Sequence, residues 1–251
     1  MTDSSLAIIV MAAGKGTRMK SDLAKVLTPL CGTPMVHHVL TAAGKDTKKV
    51  VIVGHQADAV KTSINSSFND VEFALQAEQL GTGHAVQQAE QALKGFAGDA
   101  IILSGDVPLV TPALIQNLRK AHGGNAVTVA TTTIENPTGL GRIVRDADGN
   151  FAKITEQKDA TEDEQKITEI NTGIYMVKLP LAFDLLSQVK NNNASGEFYL
   201  TDIIQLALKS GHNVGTCHVD DGMALLGVNT PEQLAVAEGI YQQRQQLAKG
   251  A

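Results

Sequence analysis

Residues 6–19 read LAIIVMAAGKGTRM, and this stretch decides the fold. The run over 6–13 is apolar, carries β-branched residues, and gives way at once to Gly14, Lys15, Gly16, Thr17 and Arg18. So short a run, closed by glycines, reads as a strand buried on both faces, the kind found in parallel sheets covered by helices. Ligands in such sheets lie beyond the carboxyl ends of the strands. The basic glycine turn therefore stands where a ligand is expected.

The same rhythm continues outward. Strands are expected at residues 6–11, 50–53, 71–75, 100–103 and 126–132, and helices at 34–43, 57–64, 82–93 and 111–121. This alternation predicts an α/β chain with a Rossmann-like, mostly parallel sheet flanked by helices. From about residue 126 the pattern changes. RIVRDADGNFAKITE (142–156) sets two strand-like arms around an Asp-Gly turn, so a smaller α+β lobe with a hairpin is expected. Thr230-Pro231-Glu232-Gln233 supplies an N-cap, a first-turn proline and a capping-box glutamine ahead of a long polar helix reaching Leu247. No Gly/Ser linker separates the halves, which read as lobes of one domain.

With 251 residues and 43% hydrophobic content the chain can bury a sizeable core. A net charge of −5, with acids and bases interspersed, leaves no basic face for nucleic acid and favours a small substrate. Cys31 and Cys217 belong to no CxxC, so neither a disulfide framework nor a zinc site is expected, which suits a reducing cytoplasm. The apolar run at 6–13 is too short, and lacks a basic flank, for a signal or a membrane span.

The glycine turn fits neither GxxxxGK[ST] nor GxGxxG. It keeps what those loops share, glycines that admit close backbone approach and N–H groups that attract anions. Arg18 and Lys25 add full charges, which count in a closed cleft and are screened on an open surface. The turn alone leaves both a phosphate cradle and a pair of solvated cations open. In LSGDVPL (103–109), Asp106 follows a buried strand and can bind a divalent cation, or be a turn aspartate. In QAEQLGTGHA (76–85), Gly81 and Gly83 flank Thr82 at a helix entry, offering backbone donors beside a glutamine able to read a base edge. His37 and His38 read as one packed and one solvated helix residue, Asn191–Asn193 as a loop, and the acids Asp159, Glu162, Asp163 and Glu164 as a solvated cluster.

Taken in order, AAGKGTRM, SDLAKVL, QAEQLGTGHA, SGDVPL, NPTGLGRIV, ITEQKDAT, EINTGIY, NNNASGEFYLTDII and GVNTPEQL resemble the sugar-phosphate nucleotidylyltransferases. Within that family they are most similar to the N-acetylglucosamine-1-phosphate uridylyltransferase domain of the bacterial bifunctional enzymes, over nearly the whole chain. The resemblance implies transfer of uridylyl from UTP to N-acetylglucosamine 1-phosphate, with Mg2+ as cofactor. It implies that Met11, Ala12, Ala13 and Gly14 line the nucleotide, that Ser104 and Gly105 bind substrate, and that Gln76, Gly81 and Thr82 hold the uracil side. Arg18 and Lys25 would grip phosphates and, with Asp106, carry catalysis. Gly141, Glu156 and Asn171 would contact the sugar, and Asp106 and Asn229 would hold magnesium. Two departures stand out. The family usually has proline where this chain has Ala24, which would leave the path to Lys25 less rigid. The bifunctional relatives, homotrimeric through a hexapeptide-repeat acetyltransferase domain, continue where this chain ends, so residues 231–251 are expected to be a linker helix after a uridylyltransferase domain at 1–230.

Two other classes remain open. A dinucleotide-dependent oxidoreductase lacks support, because the third glycine is missing and Gly54-His55 stands where an acid is expected after the second strand. A non-catalytic nucleotide sensor gives no reason to combine Lys25, Asp106 and Asn229.

Overall fold

The computed structural model describes residues 5–250 apart from Lys20 and Asp46. The opening run forms β1 (Leu6–Ala12), followed by a small hairpin of β2 (Pro29–Leu30) and β3 (Thr33–Pro34). Then come α1 (Met35–Ala42), β4 (Lys48–Val53), α2 (Ala57–Asn65), β5 (Val71–Leu75), α3 (Thr82–Gln87), β6 (Gly98–Ser104) and α4 (Pro112–His122). The second half adds β7 (Val127–Thr133), β8 (Arg142–Arg145), β9 (Phe151–Thr155), β10 (Glu169–Leu179), α5 (Leu181–Leu186), α6 (Ile203–Lys209), β11 (Val214–His218) and α7 (Pro231–Gly250).

One sheet runs in the order β11-β7-β10-β6-β1-β4-β5. Strands β1, β4, β5 and β6 pair in parallel, β11 pairs in parallel with β7, and β10 lies antiparallel between β6 and β7. The β8–β9 hairpin hangs from β10 through Ile170 opposite Arg142. This hairpin branches off the main path of the same nine-stranded sheet, whereas β7, β10 and β11 extend the first half's strands along it.

Continuous apolarity in β1 has a direct structural reason. Ala7 and Ile9 face one core and Ile8 and Val10 the other, all fully buried. Burying each larger side chain is worth about 1.5–3 kcal/mol, so a polar residue on either face would be costly. The chain leaves β1 toward β4 and β5 on one side and later places β6 on the other. The carboxyl ends of β1 and β6 thus form the switch point of the sheet, where a crevice opens.

Three details differ from the sequence expectation. The helix expected over 82–93 ends at Gln87, and the chain continues in i→i+3 turns, with Ala89 N–H on Val86 O and Glu90 N–H on Gln87 O. This tightening keeps Val86, Ala89 and Leu93 in the core. His37 is packed as expected, edge-on to Phe68, but His38 bonds to Leu30 O and packs on Tyr241 of α7 rather than facing solvent. Strands β2, β3, β10 and β11 and helices α5 and α6 have no counterpart among the expected elements. Among the described residues, no helix is long and apolar enough to cross a membrane.

Candidate active site

The parallel register of β1 and β6 brings Met11 opposite Ser104, and Gly105 N–H donates to Met11 O at 2.9 Å. Beyond this edge, Met11, Ala12, Ala13, Gly14, Lys25, Gln76, Gly81, Thr82, Ser104 and Asp106 line one cleft of about 270 Å³. Gly105 lies between two of its lining residues.

The glycine turn shapes the basic end of the cleft. Gly16 has φ +63, and a Cβ there would collide with the Lys25 stem, so the lysine passes directly over the turn. Lys25, at the start of a single helical turn (Lys25–Leu27), forms an ion pair with Asp106 Oδ2 and donates to Asn229 Oδ1 at 2.9 Å. Arg18 Nη2 donates to the same Asn229 oxygen at 2.8 Å. Asn229 Nδ2 donates to Gly227 O, and its backbone N–H donates to Gln233 Oε1 on α7, so its amide oxygen is held toward the cations. Residues from four separate parts of the sequence converge here. Asp106 is only 7% exposed, and its carboxylate and the Asn229 oxygen share a single ammonium. Oxygen donors converging on a cation in this way suit a hard divalent ion that keeps most of its waters. Among the described residues, no group of three or more His, Cys, Asp or Glu side chains is placed to hold a metal.

At the other end of the cleft, Gln76 follows β5 and is 3% exposed. Its Nε2 donates to Gly81 O at 3.1 Å and lies 3.2 Å from His84 Nδ1, which fixes the amide plane. The backbone donors expected at the α3 entry are partly committed: Gly83 N–H donates to Phe198 O at 2.8 Å. The Thr82 hydroxyl accepts from Leu200 N–H at 3.0 Å. Both contacts bind the segment at 197–202 to the cleft wall.

Gly141, Glu156 and Asn171 form a second group. Asn171 N–H donates to Gly141 O at 2.9 Å, and a Cβ added at Gly141 would stand 3.5 Å from Glu156 Oε1. Asn171 sits at a bulge of β10, its Oδ1 accepting from Gly173 N–H at 2.9 Å. Arg142, 1% exposed, donates to Leu140 O and Gln157 Oε1 and so anchors the loop carrying Gly141. Glu156 borders a polar cavity of about 400 Å³ that also includes Asp159, Tyr199, Thr201 and Asp202. Burial raises the Glu156 carboxyl above its ordinary range, and Asp159, Asp202 and Glu197 push the same way against a partial offset from Thr201. Asp202 is likewise raised, first by burial and then by Asp159.

The segment at 197–202 joins the two groups, since Glu197 lines the cleft and Tyr199, Thr201 and Asp202 line the second cavity. None of these was assigned from sequence, nor was Gln79, which also lines the cleft. The motif NNNASGEFYLTDII was the signal available for the segment, but its packing against Thr82 and Gly83 is long-range and no local pattern encodes it.

Comparison with known proteins adds a family. The profile of the MobA-like NTP transferase domain matches residues 8–164. A bifunctional protein GlmU from Paraburkholderia phymatum is 49% identical over 237 residues, covering 94% of this chain and 52% of that protein. The proteins of that name from Geobacter metallireducens (48% over 243 residues; 95% and 51%) and Streptococcus suis (45% over 240; 94% and 52%) are similarly close. The chain spans about half the length of the curated relatives it matches.

Proposed function

The chain belongs to the MobA-like NTP transferase domain family, and from that premise we propose that it transfers uridylyl from UTP to N-acetylglucosamine 1-phosphate, releasing pyrophosphate. The observation that carries this reading is the convergence of Arg18, Lys25, Asp106 and Asn229 at one end of a cleft whose other end holds the fixed amide of Gln76. A sugar-phosphate oxygen attacks the α-phosphorus, the bond to the β-phosphate oxygen breaks, and pyrophosphate leaves with the electron pair. No general base is needed, because a phosphate monoester with a second pKa of about 6 is already mostly ionised near neutrality. The difficulty is to hold two polyanions together and aligned.

Each group has a share in that task. Arg18 and Lys25 neutralise phosphate charge, and backbone groups of residues 11–14 border the nucleotide. Gln76 with Gly81 and Thr82 takes the uracil side. Asp106 and Asn229 would hold Mg2+, which when bound supplies charge stabilisation at the phosphates. Lys25 holds those two oxygens in the free protein, so the residue exchanges a carboxylate for phosphate as substrate enters. Gly141, Glu156 and Asn171 take the sugar. The transferase unit would span residues 1–230, with α7 (Pro231–Gly250) following and packed against it. The free thiols Cys31 and Cys217 and the substrates fit a cytoplasmic setting.

The test is a panel of nucleoside triphosphates against sugar 1-phosphates with magnesium, read by pyrophosphate release. Turnover is expected to be highest with UTP and N-acetylglucosamine 1-phosphate. Preference for another pair would reassign the substrate, and no release with any pair would leave a nucleotide-binding module.

A further inference from the structure

We propose that Gln56 is the positioning residue for Lys25, its side-chain amide clasping the backbone at residues 22–24 from which the lysine projects. Gln56 Oε1 accepts from Ala24 N–H at 2.8 Å, and Gln56 Nε2 donates to Asp22 O at 2.6 Å. Both arms of one planar amide are therefore spent on a chain segment 32 to 34 positions away. Ala24 is buried, and its carbonyl accepts from Leu27 N–H to start the turn that carries Lys25. Fixing Ala24 thus fixes the lysine stem over Gly16 and its ammonium on Asp106.

Gln56 itself is held at a cost. It stands at the N-cap of α2 with φ 52 and ψ 40, in the left-handed region, and its side chain makes no cap bond. A non-glycine residue there is disfavoured, and glutamine lacks the short polar side chain by which asparagine tolerates it. Such strain persists where surrounding contacts enforce it, commonly at working sites. The neighbouring His55 N–H donates to Ala13 O at 3.0 Å, so the base of α2 is tied to the cleft on both sides of the glycine turn.

The proposal rests on the transferase reading, and its test separates the two. Gln56→Gly deletes the amide while relieving the positive φ. The expected result is a kcat for pyrophosphate release about tenfold lower, the rate equivalent of about 1.4 kcal/mol, with a smaller change in KM for UTP and an unfolding midpoint close to the parent's, since relief of the positive φ offsets the two lost hydrogen bonds. Ala24 has φ −52 and ψ 131, which proline adopts readily, and its N–H bonds to Gln56. Ala24→Pro therefore stiffens the same segment by another route, and in that background Gln56→Gly should change kcat by less than about twofold. Hydrogen exchange over residues 22–27 in the free protein should be about tenfold faster in Gln56→Gly. A Gln56→Gly kcat within twofold of the parent, a loss undiminished in the Ala24→Pro background, or unchanged exchange would each overturn the proposal. If the parent releases no pyrophosphate, the transferase reading fails, and exchange alone still decides whether the clasp exists.

Discussion

Arg18 is exposed, and its side chain's bond to Asn229 could be that of any surface cation. Its place at the end of the cleft proposed to take the phosphates predicts more. If it meets charge that moves toward the leaving pyrophosphate, Arg18→Ala lowers kcat more than it raises KM for UTP, by about a hundredfold to a thousandfold. Arg18→Lys should recover part of this, since an ammonium keeps the charge and loses the planar fork. A solvated cation predicts both variants near the parent, so a kcat change under about threefold in steady-state kinetics would remove Arg18 from the site. Glu156 makes a different prediction, because burial raises its carboxyl. A group whose folded pKa is raised favours the fold while protonated, and that contribution is lost as pH climbs through the raised value. Glu156→Gln has no charge to desolvate. It should raise the unfolding midpoint at pH 7, lose that advantage near pH 3, and still raise KM for the sugar phosphate. A midpoint gain of equal size at both pH values would show that the carboxyl's charge is not the cause.

The elements show why some of this was readable in advance and some was not. Strands β1, β4 and β6 each contain an unbroken apolar run (residues 6–12, 50–53 and 100–103) because both faces are buried there, and such runs announce themselves. Strand β10 is longer than any of them, yet Asn171, Thr172 and Gly173 interrupt it at a bulge. In β11, VGTCH has only one large apolar residue and lies half-buried at a sheet edge. The ends of strands carried legible candidate site residues such as Asp106 and Gln76. The pairing of Arg18 with Asn229, 211 positions apart, and the packing of 197–202 on α3 depend on tertiary folding. Gly81 is where that packing is tightest. It has φ +120, and a Cβ there would stand 2.6 Å from Phe198 O and 2.8 Å from Phe198 N. Gly81→Ala must therefore push the 197–202 segment off α3. Overpacking of this kind costs about 1–3 kcal/mol, a fall of several degrees in a chain this size. A midpoint within a degree of the parent would mean the segment moves freely and is no fixed wall of the cleft.

Across the whole molecule, α7 is more than an exit from the fold. Ala237 is 5% exposed in a third apolar cluster with Met19, Leu30, Met35, Leu109 and Val228, which lies beneath the helix. Arg244 pairs with Asp221 at 2.7 Å and donates to Leu109 O at 2.8 Å, and Gln233 holds the backbone of Asn229. The helix thus staples the segment at 221–230, and with it Asn229, against the cations of the cleft. Ala237→Glu forces a carboxylate into that cluster, and Ala235→Glu places the same charge on the exposed side of the same helix. The exposed change should stay within about 0.5 kcal/mol of the parent. The buried one should cost about 1–3 kcal/mol and, by loosening Asn229, lower kcat under conditions where the protein is still folded. Thermal unfolding followed by circular dichroism, with pyrophosphate release measured well below the midpoint, reads both effects. Equal melting and equal turnover in the two variants would make α7 a passive appendage, and the orientation of Asn229 would then have to come from Gly227 and the two cations alone.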